Sequence, residues 1–241
     1  KLALGLLQPQ CGLVHLSKEL RLSYFADELA LYNSLTVKEF LRYSEKILKV
    51  PCKRDEYCQK LDLQNILNRR IGNLSMGNRR KVGLAQSLMS EADIIFLDEP
   101  SIGLDPEMVI KLRKTLIDLK NKSTIVVSSH LLDEIQKTAD QINIINHGKL
   151  LYAGSCSELF AKQRHLKHLI IKTPDTTKLM SLNYENTQLI APNTVKMSAL
   201  RDKSTILHEL TQAGILVEEF YEEHQNLENF YLEFLEERNV L

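Results

Sequence analysis

Residues 94–106 read Ile-Ile-Phe-Leu-Asp-Glu-Pro-Ser-Ile-Gly-Leu-Asp-Pro, and they restrict the fold more than any other stretch of the 241 residues. The apolar run fits a buried strand, Asp93–Leu97, that ends on two adjacent carboxylates. Asp105 followed by Pro106 is a helix cap with proline at the first helical position, which predicts a helix to Lys120. Thr124–Ser128 is the next strand, Leu131–Thr138 a helix and Ile142–Asn146 another strand. His147-Gly148 then turns into Lys149–Ala153 as a hairpin. Strands alternating with helices place the chain in the α/β class, with a mainly parallel sheet carrying helices on both faces.

The upstream half reads as mostly helical. Lys1–Leu7 resembles the tail of a helix stopped by Pro9 and Gly12, and Gly12–Leu16 and Leu22–Phe25 are candidate strands. Thr36-Val37-Lys38-Glu39 is a capping box for a helix through Lys49, ended by Pro51. Further helices are expected over Asp55–Leu61 and Leu63–Arg70, and from the cap Ser75 to Met89. The helical subdomain covers about residues 35–90. Around Ser155–Lys162 the pattern breaks. The order after it is strand (Leu166–Lys172), helix (Asp175–Leu182), two strands (Thr187–Ile190, Thr194–Ser198), helix (Asp202–Ala213) and strand (Ile215–Tyr221). That β-α-β-β-α-β order suggests a small ferredoxin-like α+β module. A final helix near Asn226 would carry Leu227, Phe230, Tyr231, Phe234 and Leu235 on one face. The expected domains are 1–155 and 156–241.

Composition narrows the partners. Lysine plus arginine and aspartate plus glutamate are 31 each, so the formal charge is zero and nothing favours nucleic acid. The run Arg79-Arg80-Lys81 reads as a solvated helix face. No apolar run reaches the roughly 20 residues of a membrane span. The apolar start is too short for a signal sequence and is ended by Gln8-Pro9-Gln10. Cys11, Cys52, Cys58 and Cys156 show no metal-ligand spacing, and a reduced cytosolic chain is the default.

In an open α/β sheet, ligands bind at the C-terminal edge of the strands, where Asp98 and Glu99 sit. One carboxylate there can hold magnesium through water while its neighbour takes a proton from an attacking water, the minimum for hydrolysing a nucleoside triphosphate. His130, after Ser128-Ser129 on the next strand, could reach the terminal phosphate. The acid pair could instead cap the following helix, and a lone histidine is more often structural.

Leu74-Ser75-Met76-Gly77-Asn78, the Asp98-Glu99 strand, Ile102-Gly103-Leu104-Asp105 and His130 stand together in one order and spacing. On these four motifs, roughly Lys1–Gly154 resembles the ATP-binding subunit of an ABC transporter, with its signature, Walker B, D-loop and switch histidine. The resemblance implies a P-loop NTPase-like fold lacking its N-terminal strands, with ATP and magnesium as cofactors. It makes Asp98 a magnesium ligand, Glu99 the general base and His130 a γ-phosphate contact. Ser75 and Gly77 would bind the γ-phosphate of an ATP held by a second ATP-binding subunit, and Asp105 would couple the two subunits. It further implies a membrane permease partner and a place at the cytoplasmic face of the membrane.

The chain departs from the family pattern in places. Met76 and Asn78 replace a glycine and a glutamine of the signature. Ser23–Glu28 aligns with the Q-loop and puts Asp27 where glutamine is usual; a plain solvated loop acid fits that position equally. No GxxxxGK[ST] phosphate loop occurs. The chain is therefore expected to be a fragment starting after that loop, or the product of a damaged reading frame, and unable to bind ATP alone. The ending Asn226–Leu232 resembles subunits of ABC-2 type exporters. The alternative to an ATPase is a degenerate, non-catalytic module that pairs with a competent partner.

Overall fold

The computed structural model describes residues 1–27, 30–49, 53–162, 167–199, 202–222, 227, 228, 230 and 231. Two compact units, Lys1–Glu134 and Ile135–Leu241, divide the chain.

The first unit begins with β1 (Leu22–Phe25), followed by α1 (Val37–Leu48), α2 (Arg54–Lys60) and α3 (Met76–Leu88). Then come β2 (Ile94–Asp98), α4 (Pro106–Leu119), β3 (Thr124–Ser128) and α5 (Leu132–Thr138), whose last turn runs into the second unit. The three strands form a parallel sheet in the order β1-β2-β3. Leu97 lies level with Phe25 on one side and Val127 on the other, and Asp98 with Ser128.

Alternation fixes which face is buried. Phe25, Ile95 and Leu97 share one face with no more than 2% exposure, and Ile125 and Val127 pack against the same core. Val37, Leu41, Leu84, Leu88, Met108 and Leu112, from α1, α3 and α4, complete it. On the other face Ile94 and Phe96 are half-buried and Val126 is exposed.

Three N-terminal expectations are corrected. Lys1–Leu7 forms successive turns, not a helix, and Gly12–Leu16 is not a strand. Leu6, Leu7 and Leu13 are exposed, and a helix that short without a buried face is not stable. Leu63–Arg70 is not an α-helix but contains a 3-10 turn, Gln64–Ile66, with a second at Ile71–Asn73. The reason is tertiary: the carbonyls of Leu67 and Arg69 accept hydrogen bonds from the N–H groups of Lys38 and Val37 at the start of α1. A continuous helix would use those carbonyls internally.

The second unit contains β4 (Ile142–Asn146), β5 (Lys149–Gly154) and α6 (Cys156–Lys162), then β6 (Lys167–Lys172), α7 (Thr176–Met180), β7 (Gln188–Ala191), β8 (Thr194–Ala199), α8 (Lys203–Gln212) and β9 (Glu219–Glu222). β4 and β5 form a two-stranded antiparallel hairpin. The supposed break at Ser155–Lys162 is α6, headed by a capping box: Ser155 Oγ accepts from the Glu158 N–H and Glu158 Oε2 from the Ser155 N–H. The last four strands form an antiparallel sheet in the order β7-β8-β6-β9. Leu169, Ile171, Val195 and Met197 pack there against Leu179, Ile206 and Leu210 of α7 and α8. Of the expected final helix, Leu227 and Phe230 are buried, while Phe234 and Leu235 lie outside the described residues. Among the described residues no helix is long and apolar enough to cross a membrane.

Candidate active site at the rim of the parallel sheet

β2 delivers Asp98 and Glu99 to the C-terminal edge of the sheet, and the parallel register brings Ser128 of β3 alongside. Ser128 Oγ donates to Asp98 Oδ1 at 2.5 Å. The Glu99 N–H is shared between the Ser128 carbonyl (3.1 Å) and its hydroxyl (3.2 Å). Near Asp98, burial first and then the Asp98 charge raise the pKa of Tyr24.

Glu99 has φ +47°, a left-handed conformation that costs a non-glycine residue about 1–2 kcal/mol. From it the side chain turns toward β3, and Glu99 Oε2 lies 3.0 Å from His130 Nδ1. That side chain is 26% exposed and His130 63% exposed, so the imidazole faces solvent with one nitrogen committed to the carboxylate. The rim therefore holds a serine-bonded carboxylate beside a histidine-bonded one.

Asp98 and Ser128 offer hard oxygens, the donor type magnesium takes. Among the described residues no group of three histidine, cysteine or acidic side chains could cage a metal. Magnesium is typically held by one or two carboxylates together with substrate phosphates, so the site fits an ion carried in with a phosphate ligand.

The other predicted residues take separate positions. Ser75 caps α3, its hydroxyl accepting from the Asn78 N–H at 3.4 Å, and Met76 beside it is 66% exposed. Gly77 meets the loop after β2: a Cβ built there would lie 2.8 Å from the Gly103 carbonyl oxygen. Asp105 caps α4, its Oδ1 accepting from the Met108 N–H at 2.9 Å. That bond, and the charge of Lys81, hold its carboxyl below the usual range. Asp27 is engaged from the α3 side: its Oδ1 lies 3.1 Å from Nη1 of Arg80.

Arg80 is a further correction. Arg79-Arg80-Lys81 reads as a solvated basic run, yet Arg80 is 1% exposed. Spacing could have shown this, because Arg80 precedes Leu84 by four residues and Leu88 by eight, on the buried stripe of α3. Ser128 is a further functional group, one to which the motifs assign no role. Pairing the two strands at their C-terminal ends would have set it beside Asp98.

The family profile described as ABC transporter matches residues 1–102. The ABC transporter ATP-binding protein NatA of Bacillus subtilis is 32% identical over 58% of this chain and 59% of its own length. The bacitracin transport ATP-binding protein BcrA of Bacillus licheniformis is 30% identical over 76% of this chain and 63% of its own. The chain thus spans about three fifths of the length of these relatives. An uncharacterized ABC transporter ATP-binding protein of Alkalihalophilus pseudofirmus is 30% identical over 71% of this chain and 69% of its own. A solved chain described as "Structure of ATP binding subunit of ABC transporter" matches with a TM-score of 0.55 at 23% identity, over 59% of this chain and 62% of that one, a likeness of fold. With its P-loop NTPase-type parallel sheet and these relatives, the chain belongs to the family of ABC transporter ATP-binding proteins.

Proposed function

We propose that this chain is part of an ATP-hydrolysing subunit that energises export through a separate membrane permease, held at the cytoplasmic face of the membrane by that permease. The observation that carries the reading is the 3.0 Å contact of Glu99 Oε2 with His130 Nδ1, beside the Asp98–Ser128 pair on the same rim. Glu99 accepts the proton of an attacking water, and His130 orients that carboxylate and faces the γ-phosphate. Asp98, supported by Ser128, holds magnesium, which supplies charge neutralisation to the phosphates when bound. Ser75 and Gly77 present the N-terminus of α3 to the ATP of a second ATP-binding subunit, and Asp105 carries the coupling between the two. Tyr43 and Ile47 on α1 and Tyr32 just before it, each about half exposed, form the contact with the permease. The β6–β9 module is a ferredoxin-like accessory domain.

Residues 1–241 contain no lysine-bearing phosphate loop. In P-loop enzymes that loop grips the β- and γ-phosphates with backbone N–H groups and a lysine, bonds that Asp98 and His130 do not replace. Calorimetry of residues 1–241 with magnesium-ATP is therefore expected to show no micromolar binding, and micromolar affinity would refute that part of the reading. With a phosphate loop supplied in front, Glu99→Gln is expected to keep ATP binding and lower turnover by about 10²–10⁴-fold. Normal turnover would remove Glu99 as the base. Asp27 in place of the family's usual glutamine, together with the missing phosphate loop, favours a second reading, a non-catalytic module that lends Ser75 and Gly77 to a competent partner. Retained partner turnover alongside unaffected Glu99→Gln would select it.

A further inference from the structure

The guanidinium of Arg80 reaches from α3 to two loops at once. Nη1 donates to the Asp27 carbonyl at 3.3 Å and to Asp27 Oδ1 at 3.1 Å. Nη2 donates to the Glu99 carbonyl at 2.5 Å. The guanidinium carbon lies 5.2 Å from the centroid of the Phe25 ring, and the Arg80 stem passes the Gly103 turn at ordinary contact distance, a Cβ built there lying 3.5 Å from Arg80 Cδ. Arg80 is 1% exposed, so it is fixed in place and not sampling solvent.

The backbone of Glu99 needs such support. A non-glycine residue in a left-handed conformation persists only where its surroundings over-determine it. Glu99 is held from both ends: its N–H by Ser128, and its carbonyl by Arg80 and, at 3.3 Å, by the Ile102 N–H. We propose that Arg80 is a positioning residue that clamps the Glu99 backbone in the left-handed conformation from which its carboxylate meets His130, and so makes the placement of that carboxylate depend on the loop carrying Asp27. The acid at position 27 is then the counter-charge of the clamp and not a second ligand at the rim. Arginine suits the role because its planar fork spans two acceptors, whereas a lysine ammonium is a point charge.

The consequence for catalysis rests on the proposed role of Glu99, but the clamp itself does not and can be read without nucleotide. Residues 1–241, labelled with ¹³C and ¹⁵N, report the Glu99 backbone through its Cα and carbonyl shifts and the loop through exchange of the Ile102 amide. The native chain is expected to show left-handed shifts at Glu99; any other value overturns the proposal. In Arg80→Gln the Glu99 shifts should leave that range and Ile102 exchange rise about tenfold or more, the loss of one charge-assisted bond. Exchange in α4 should stay unchanged. Arg80→Lys should keep the Asp27 loop protected while Glu99 still moves, a split that general loosening would not produce. Unchanged Glu99 shifts in both folded variants would overturn the clamp, and so would loss of the fold in both, which would leave Arg80 a support of the core alone. A confirmed clamp combined with normal turnover of Glu99→Gln would overturn the base assignment and not the clamp.

Discussion

Gly77 shows how a single missing atom can seat a loop on the start of a helix. At 2.8 Å from the Gly103 carbonyl oxygen, a methyl group could fit only if backbone moved on one side. Alanine ordinarily favours helix over glycine by about 1 kcal/mol, but overpacking a tight contact costs about 1–3 kcal/mol and that penalty wins here. Gly77→Ala is therefore expected to lower the stability of the first unit by up to about 2 kcal/mol in urea unfolding, despite its better helix propensity. Gly72 is a useful contrast, with its built Cβ 3.0 Å from the Asn33 carbonyl oxygen, and Gly72→Ala should cost less. A stabilised Gly77→Ala would show that the Gly103 loop yields freely. Asp98, Glu99 and His130 were legible as residues because an apolar strand must end where its carboxylates begin. The place of Arg80 on the buried stripe of α3 is legible from its spacing to Leu84 and Leu88, but its partners, Asp27 and the Glu99 carbonyl, are not, because they come from distant loops.

Helix starts account for much of the local order. Thr36 Oγ1 accepts from the Glu39 N–H at 3.2 Å and Glu39 Oε2 from the Thr36 N–H at 2.8 Å. The N–H groups of Val37 and Lys38 are taken by carbonyls of the following segment, so the first turn of α1 has its donors satisfied. Thr36→Ala should cost about 1 kcal/mol, measured as a shift in urea midpoint. Two of these caps are pH-dependent. Glu39 is lowered first by the Thr36 backbone N–H and then by its hydroxyl; Asp105 is lowered first by the Met108 N–H. A carboxyl whose folded pKa lies below its unfolded value adds stability that is fully present above the unfolded value, about pH 4, and is lost as pH falls through the folded one. Asp105→Asn keeps a capping acceptor without the charge, so its stability should decline less steeply below about pH 4 than that of the parent. Denaturation at a series of acid pH values measures this, and parallel acid limbs would count against the cap as the source. The boxes at Thr36–Glu39 and Ser155–Glu158 are both visible as sequence, the second where the strand-helix pattern otherwise breaks. The segment 63–70 departs from its helical periodicity because its carbonyls serve another element, which that periodicity cannot reveal.

Two separate apolar clusters give the molecule two sources of stability. One gathers Phe25, Leu41, Leu84, Ile95 and Leu97; the other gathers Leu169, Ile171, Val195, Met197 and Leu210. Leu84 and Ile171 are both fully buried, and truncating either to alanine should cost about 2–5 kcal/mol. Amide exchange should then rise within residues 1–134 for Leu84→Ala and within 167–222 for Ile171→Ala. Equal loosening of both units by either substitution would show a single cooperative core. From the sequence alone came the order and type of most elements, the α/β class, and an acid pair with a histidine at one sheet edge. Periodicity, caps and turn residues act between near neighbours, so they can be read along the chain. Only the folded chain decided that Glu99 stands in a left-handed backbone, that Gly77 seats the Gly103 loop, and that Arg80 is buried between Asp27 and Glu99. Each of those depends on groups some 20 to 50 residues apart, which parallel strand pairing and the docking of α3 bring within hydrogen-bond reach.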